Sequence, residues 1–324
     1  MLSRTGEHLF WMARHMERAE NTARMLDVTY RMRLLPASMN QPVEPWAQAW
    51  AVPLITTGMA KDYYACYDEL TAETVLEFLV CNPNNPSSIV NCLKAARENA
   101  RTVRGAITSE MWESLNSTWM EFGKTGPEVL EAAAIGQFFE TIKQRSHMFR
   151  GVTVGTALRD ESFFFTRLGT FLERADNTAR ILDVKYHILL PSPQDIGGAQ
   201  DYYQWGSLLR SVSAFEAYRK IYRDTISPRR VAELLVLRRD MPRSLRACAA
   251  EIYSMLQVLA GTTGTEAERQ AGELNARLQF ARIDDVLANG LHEYLLDFLE
   301  RIGALGIEIH HSFFASLDPA ERLA

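Results

Sequence analysis

The sequence has few cysteines, no long apolar run and no excess of basic residues. Its 324 residues include four cysteines, and their spacing is that of neither a metal site nor a disulfide framework. We therefore expect a cytoplasmic protein. No stretch of about 18 apolar residues occurs, so we expect no membrane span. Charged residues interrupt the amino-terminal segment, which also argues against a cleaved signal peptide.

Charge and missing motifs exclude further classes of function. The formal net charge is −5, so we expect no nucleic-acid partner. The sequence contains neither a Gly-x-Ser-x-Gly nucleophile turn nor a phosphate-binding Gly-x-x-x-x-Gly-Lys loop, and we expect no cofactor. One Glu-x-x-His pair, Glu308 and His311, is of the kind found in di-iron bundles, but its counterparts are Val152 and Gly155. We therefore expect no metal.

What the sequence does contain is a repeat. Residues 17–28 read ERAENTARMLDV and residues 173–184 read ERADNTARILDV, identical at ten of twelve positions. The offset of 156 persists further along the chain, for example between Val75 and Val231 and between Cys92 and Cys248. Two copies of 156 residues account for 312 of the 324 residues. The sequence therefore predicts an internal tandem duplication.

Helical spacing predicts an all-α helical bundle with the copies in a pseudo-two-fold arrangement. We expect one helical repeat at 1–156, a second at 157–312 and a C-terminal tail at 313–324, with both repeats in one compact domain. Long helices are predicted at about 3–34, 127–157, 160–190 and 284–314, and shorter ones at about 47–58, 62–80, 87–107 and 109–122.

The first helix of each copy carries an apolar seam with 3,4 spacing, which predicts packing against other helices. The two seams are Leu9, Met12, Met16, Ala19, Ala23, Leu26 and Tyr30, and Phe165, Leu168, Leu172, Ala175, Ala179, Leu182 and Tyr186. The alanines recur at the same two positions in both copies. Such small residues favour a close helix crossing.

Polar residues beside each seam also recur, although the loops at 36–46 and 191–201 share almost nothing. A solvated surface tolerates almost any polar residue, so these charges indicate either a buried ion-pair network or a pocket that binds an amino group and a carboxylate. The candidate residues are Glu17, Arg18, Glu20, Asn21, Arg24, Asp27, Glu173, Arg174, Asp176, Asn177, Arg180 and Asp183.

One segment differs in charge between the copies. Residues 227–246 contain six arginines against Glu233 and Asp240, whereas residues 71–90 contain two glutamates and no basic residue. This pattern is typical either of a solvated face or of a docking surface for an acidic partner, because arginine suits carboxylate and phosphate oxygens. The candidate arginines are Arg229, Arg230, Arg238, Arg239, Arg243 and Arg246.

The opening LSRTGEHLFWMARHMERAENTARMLDV resembles the alpha-E family of bacterial helical proteins, with Glu17-Arg18 and Glu173-Arg174 as its Glu-Arg motif. The resemblance extends over essentially the whole chain. It implies association with circularly permuted ATP-grasp proteins and transglutaminase-like proteases, sometimes by fusion to the former, in peptide synthesis or modification. It implies no catalytic residue.

Three hypotheses follow. The first is a non-catalytic binding or accessory protein that works with an ATP-grasp peptide ligase and a peptide substrate. The second is an enzyme whose pocket between the repeats uses Glu17 or Glu173 as a general base. The third is a structural scaffold held together by the charged residues.

Overall fold

The computed structural model describes residues 2–33, 44–131, 134–188 and 199–315, which contain helices and no strand. The all-α prediction is therefore confirmed. Up to residue 156, the described α-helices are α1 (Ser3–Arg33), α2 (Glu44–Thr56), α3 (Ala60–Tyr64), α4 (Ala72–Val80), α5 (Ile89–Thr102), α6 (Ser109–Phe122) and α7 (Ile135–Thr156).

The rest of the chain is also helical. Its described α-helices are α8 (Glu161–Ile188), α9 (Ala199–Ser211), α10 (Phe215–Tyr222), α11 (Pro228–Ala232), α12 (Leu245–Ala260), α13 (Glu266–Phe280), α14 (Ile283–Ala288) and α15 (Leu291–Ile309). Short π-helical segments follow α11, at Glu233–Leu237, and α15, at His310–Phe314. No helix in the described ranges is both long and apolar enough to span a bilayer.

Three predicted helices are interrupted. The prediction at 62–80 is divided into α3 and α4, because Thr71 caps α4 by accepting a hydrogen bond from the Thr74 backbone N–H. The prediction at 127–157 begins too early, because Pro127 starts a separate 3₁₀ turn and α7 begins at Ile135. The prediction at 284–314 is divided into α14 and α15 at Gly290, whose φ of 93° does not belong to a helix.

The two long helices α1 and α8 pack directly against each other at the centre of the core. The first seam is buried from Leu9 to Leu26 and half-buried at Tyr30, and the second is buried from Phe165 to Leu182. The repeated alanines Ala19, Ala23, Ala175 and Ala179 are fully buried. The loops predicted at 36–46 and 191–201 extend too far, because α2 begins at Glu44 and α9 at Ala199. Residues 34–43 and 189–198, the side chain of Tyr186 and the tail beyond 315 lie outside the described residues.

A glycine lies where α8 packs tightly against the backbone of α1. A Cβ added at Gly169 of α8 would lie 2.2 Å from the carbonyl oxygen of Phe10 in α1. Any side chain would therefore force the helices apart. The approach brings the polar residues that flank the two seams within hydrogen-bonding distance of one another.

Candidate functional site

Across the α1–α8 contact, the arginine of each Glu-Arg dipeptide binds the glutamate of the other. Arg18 donates from Nε and Nη2 to the two carboxylate oxygens of Glu173, at 2.6 and 2.9 Å. Arg174 donates in the same way to Glu17, at 2.9 and 3.1 Å. Each pair is a bidentate guanidinium–carboxylate contact, the strongest geometry for such a pair. The dipeptides therefore join the two helices.

Further arginines converge on the same carboxylates. Arg14 donates to Glu173 at 2.9 Å, while Arg150 of α7 donates to Glu17 at 2.8 Å and also pairs with Glu20. Glu20 accepts from Arg24 at 2.7 Å and from Arg243 at 2.8 Å. We name this group the Glu–Arg cluster and define it as Glu17, Glu20, Glu173, Arg14, Arg18, Arg24, Arg150, Arg174 and Arg243.

The carboxylates of the Glu–Arg cluster are buried, and the charges of the cluster do not cancel. Glu17, Glu20 and Glu173 are 1, 0 and 6% exposed. Six guanidinium groups surround these three carboxylates, which leaves a formal surplus of three positive charges. Removing ions from water costs several kcal/mol each, so the contacts described above are needed to offset that loss.

This surplus keeps the carboxylates ionised. Burial alone would raise the pKa of Glu173, but Arg18 and Arg14 outweigh it and lower the pKa to about 2. Burial likewise opposes ionisation of Glu17 and Glu20, yet the pKa of each is lowered, mainly by Arg174 and Arg243 at Glu17 and by Arg243 and Arg150 at Glu20. These groups are therefore weak proton acceptors near neutral pH.

Other candidate residues lie around the edges of the Glu–Arg cluster. Asp27 pairs with Arg31 at 2.7 Å and with Lys143 of α7 at 2.9 Å. Asp183 lies 2.6 Å from the Nδ1 atom of His292, which connects α8 with α15. Through these carboxylates, Lys143 links α1 to α7 and His292 links α8 to α15.

The remaining candidates are Asp176 with Arg180, and the two asparagines. Arg180 binds both carboxylate oxygens of Asp176, at 2.7 and 3.1 Å. Asn21 accepts a hydrogen bond from Arg243 at 2.9 Å. The side-chain nitrogens of Asn21 and Asn177 are buried without a hydrogen-bond partner among the described residues. The predicted residues are thus assembled around one helix contact.

One residue of the predicted basic docking surface is placed elsewhere. Arg243 is 5% exposed and belongs to the Glu–Arg cluster, so assigning it to a docking surface is wrong. Arg229 and Arg230 pair with Asp284 and Asp224. These contacts neutralise part of the charge that the sequence pattern suggested.

Arg238, Arg239 and Arg246 line an open groove of about 650 Å³ between the segment before α12 and the start of α14. The groove is completed by Glu233, Leu237, Asp240, Ala281 and Ile283. Arg238 pairs with Asp240 at 2.5 Å, whereas Arg239 is exposed. We name these eight residues the arginine groove.

Sequence reasoning missed Arg14, Arg150 and Ser146, although all three bind the carboxylates. Ser146 donates to Glu20 at 2.7 Å. The repeat gave no signal for them, because their counterparts 156 positions away are Thr170, Gly306 and Ile302. Only Arg14 carried a helical cue, since it lies one turn before Arg18 on the same face of α1.

The fold and the exchanged Glu-Arg pairs define a class of all-helical proteins with a Glu-Arg signature. The family model Alpha-E, described as "a predicted alpha-helical domain with a conserved ER motif", matches residues 1–314. The chain belongs to this family.

Similar proteins are longer than this chain. Those named "Uncharacterized protein Mb2597" from Mycobacterium bovis and "Uncharacterized protein Rv2567" from Mycobacterium tuberculosis are each 25% identical to it over 319 residues. The matched region is 91% of this chain and 35% of each relative, so the chain spans about one third of their length. No solved structure matches this protein.

Proposed function

We propose that this chain is a non-catalytic helical binding module that works in the cytoplasm beside an ATP-grasp peptide ligase, in peptide synthesis or peptide modification. The observation that carries the proposal is the arginine groove, an open basic surface separate from the buried Glu–Arg cluster. Two further findings support a module: membership of the Alpha-E family, and relatives in which the matching region is a third of a longer chain.

The chemistry of the arginine groove favours an acidic partner segment or a peptide carboxylate. Its acids are already engaged, since Glu233 accepts from the Tyr222 hydroxyl at 3.1 Å and Asp240 pairs with Arg238. Arg239 has no ion-pair partner among the described residues, and its planar fork can bind a carboxylate through two parallel hydrogen bonds.

The Glu–Arg cluster supports a structural role more than a catalytic one. An enzyme that used Glu17 or Glu173 as a general base would need a carboxylate with a raised pKa near the substrate proton. Both pKa values are instead lowered, and both carboxylates are buried against arginines. This environment favours a scaffold role for the Glu–Arg cluster within the binding module.

We also propose that the module arose by tandem duplication, with its halves at 1–156 and 157–312 related by a pseudo-two-fold axis near the α1–α8 contact. The reciprocal ion pairs Glu17–Arg174 and Glu173–Arg18 support this arrangement. So do Ser88 and Ser244, which stand 156 positions apart and cap α5 and α12 through their side chains.

The test is calorimetric titration of the full chain with the ATP-grasp protein encoded in the same genome. We expect binding by the unaltered protein and a loss of at least about tenfold in affinity for Arg238→Glu/Arg239→Glu, since rim charge reversal costs affinity across a complementary surface. The matched control, Arg101→Glu/Arg269→Glu, reverses two exposed arginines of α5 and α13. Equal affinity of the two double variants, or no binding at all, would contradict the proposal.

A further inference from the structure

A second cavity of about 320 Å³ lies between α1, α8 and α15, away from the arginine groove. Its volume is at the lower end of the range for small-molecule sites. We name it the α15 pocket. Its lining residues are Phe10, Trp11, Arg14, Leu172, Asp176, Ile302, Gly303, Gly306, Ile307, His310 and Phe314.

α7 and α15 differ at a position that lines the pocket. Arg150 of α7 extends to α1 and fills the space beside Glu17 and Glu20. The residue 156 positions after Arg150 is Gly306, which lines the pocket where α15 packs against α8. Gly306 has no side chain to occupy the pocket that it lines together with Leu172 and Asp176.

One wall of the pocket carries a fixed cation. The Arg14 guanidinium lies 4.7 Å from the ring centroid of Trp11, and its Nε atom is held by Glu173 at 2.9 Å. Its two terminal nitrogens donate to no described residue, so they remain available as a fork for a carboxylate.

The same pocket contains an anion and aromatic surface. Asp176 accepts two hydrogen bonds from Arg180, and a carboxylate has capacity for about four, so it can also accept from an ammonium group. Phe10 and Phe314 lie with ring centroids 5.6 Å apart on the apolar side. A cation, an anion and an apolar wall thus share one small enclosure.

We propose that the α15 pocket binds a free amino acid with a hydrophobic side chain. Arg14 receives its carboxylate, Asp176 receives its ammonium group, and the aromatic wall covers its side chain. This site is separate from the arginine groove, and its occupancy does not depend on the proposed function of that groove.

The test uses phenylalanine, N-acetylphenylalanine and phenylalanine amide as probes, titrated into the full chain and followed by NMR chemical shifts. We expect phenylalanine to bind and each derivative to bind at least about tenfold more weakly, because each lacks one of the two charges. No shift with phenylalanine at millimolar concentrations, or equal affinity for all three probes, overturns the proposal.

A pair of glycine variants locates the site. A Cβ at Gly303, a residue that lines the pocket, meets no atom within 4 Å, and leucine is a better helix former than glycine. We therefore expect Gly303→Leu to obstruct the pocket without disturbing α15. We expect this variant to lose phenylalanine binding by at least tenfold. Gly151→Leu, on an equally open position of α7, serves as the control and is expected to bind normally. Unchanged binding by Gly303→Leu overturns the assignment.

Discussion

Replacing Glu173 with glutamine removes the negative charge from the Arg18–Glu173 ion pair. Arg14 and Arg18 then remain beside a neutral amide, with side chains only 18 and 25% exposed. The pKa of Glu173, lowered from 4.5 to about 2, corresponds to about 3 kcal/mol of stability near neutral pH. Deleting one partner of a buried pair costs about 3–5 kcal/mol. We therefore expect Glu173→Gln to lower the free energy of unfolding by about 3 kcal/mol.

The contribution of Glu173 to stability depends on pH. Because the folded-state pKa of Glu173 is lower than the unfolded-state value, its contribution is complete above the unfolded value and is lost as the pH falls toward about 2. The difference in stability between the two proteins should therefore be full at neutral pH and shrink progressively below about pH 4.5. Urea unfolding followed by circular dichroism at several pH values measures it.

A double-mutant cycle with Arg18→Met separates the ion pair from other effects of the substitution. We expect the double variant to be less destabilised than the sum of the single variants, because the second change removes a stranded charge. Glu266→Gln is the control, since Glu266 is exposed and bonded to Arg269, and we expect no resolvable loss. A change in stability as small as that of the control, or full additivity of the two substitutions, would show that Glu173 and Arg18 do not form a stabilising ion pair.

Two further predictions concern the core. Gly169→Ala should destabilise the protein by about 1–3 kcal/mol, because its Cβ would overlap the Phe10 carbonyl. Gly151→Ala, at an open helical position, should stabilise the protein slightly. If thermal unfolding ranks the two variants the other way, the close α1–α8 contact is contradicted. Burial raises the pKa of both Cys92 and Cys248 to about 12, so these thiols should react with a thiol reagent only after unfolding. Cys66 is exposed and should react in the native protein. Rapid reaction of three or four thiols per native chain would show that this core is open.

The central packing was predictable because burial imposes regular spacing. The 3,4 pattern of α1 and α8 gave their seams, and the repeated charges beside them indicated the residues that meet there. Helix ends were less predictable, since Gly290 and the Thr71 cap act through local backbone geometry that apolar spacing does not reveal.

Long-range partners were the least predictable part of the site. Arg150 and Arg243 reach the same carboxylates from sequence distances of 133 and 223 residues. A charged residue looks the same in a sequence whether it ends in solvent or in a buried ion pair. For this reason Arg243 was grouped with surface arginines, although it is buried.

We propose that the Glu–Arg cluster holds the helices together while the arginine groove binds the partner. The most direct measurement compares the affinity of Glu173→Gln and of Arg238→Glu/Arg239→Glu for the ATP-grasp protein, at a temperature where both variants are folded. We expect Glu173→Gln to bind like the unaltered protein and the groove variant to bind at least about tenfold more weakly. Loss of binding in Glu173→Gln with normal binding in the groove variant would contradict this proposal.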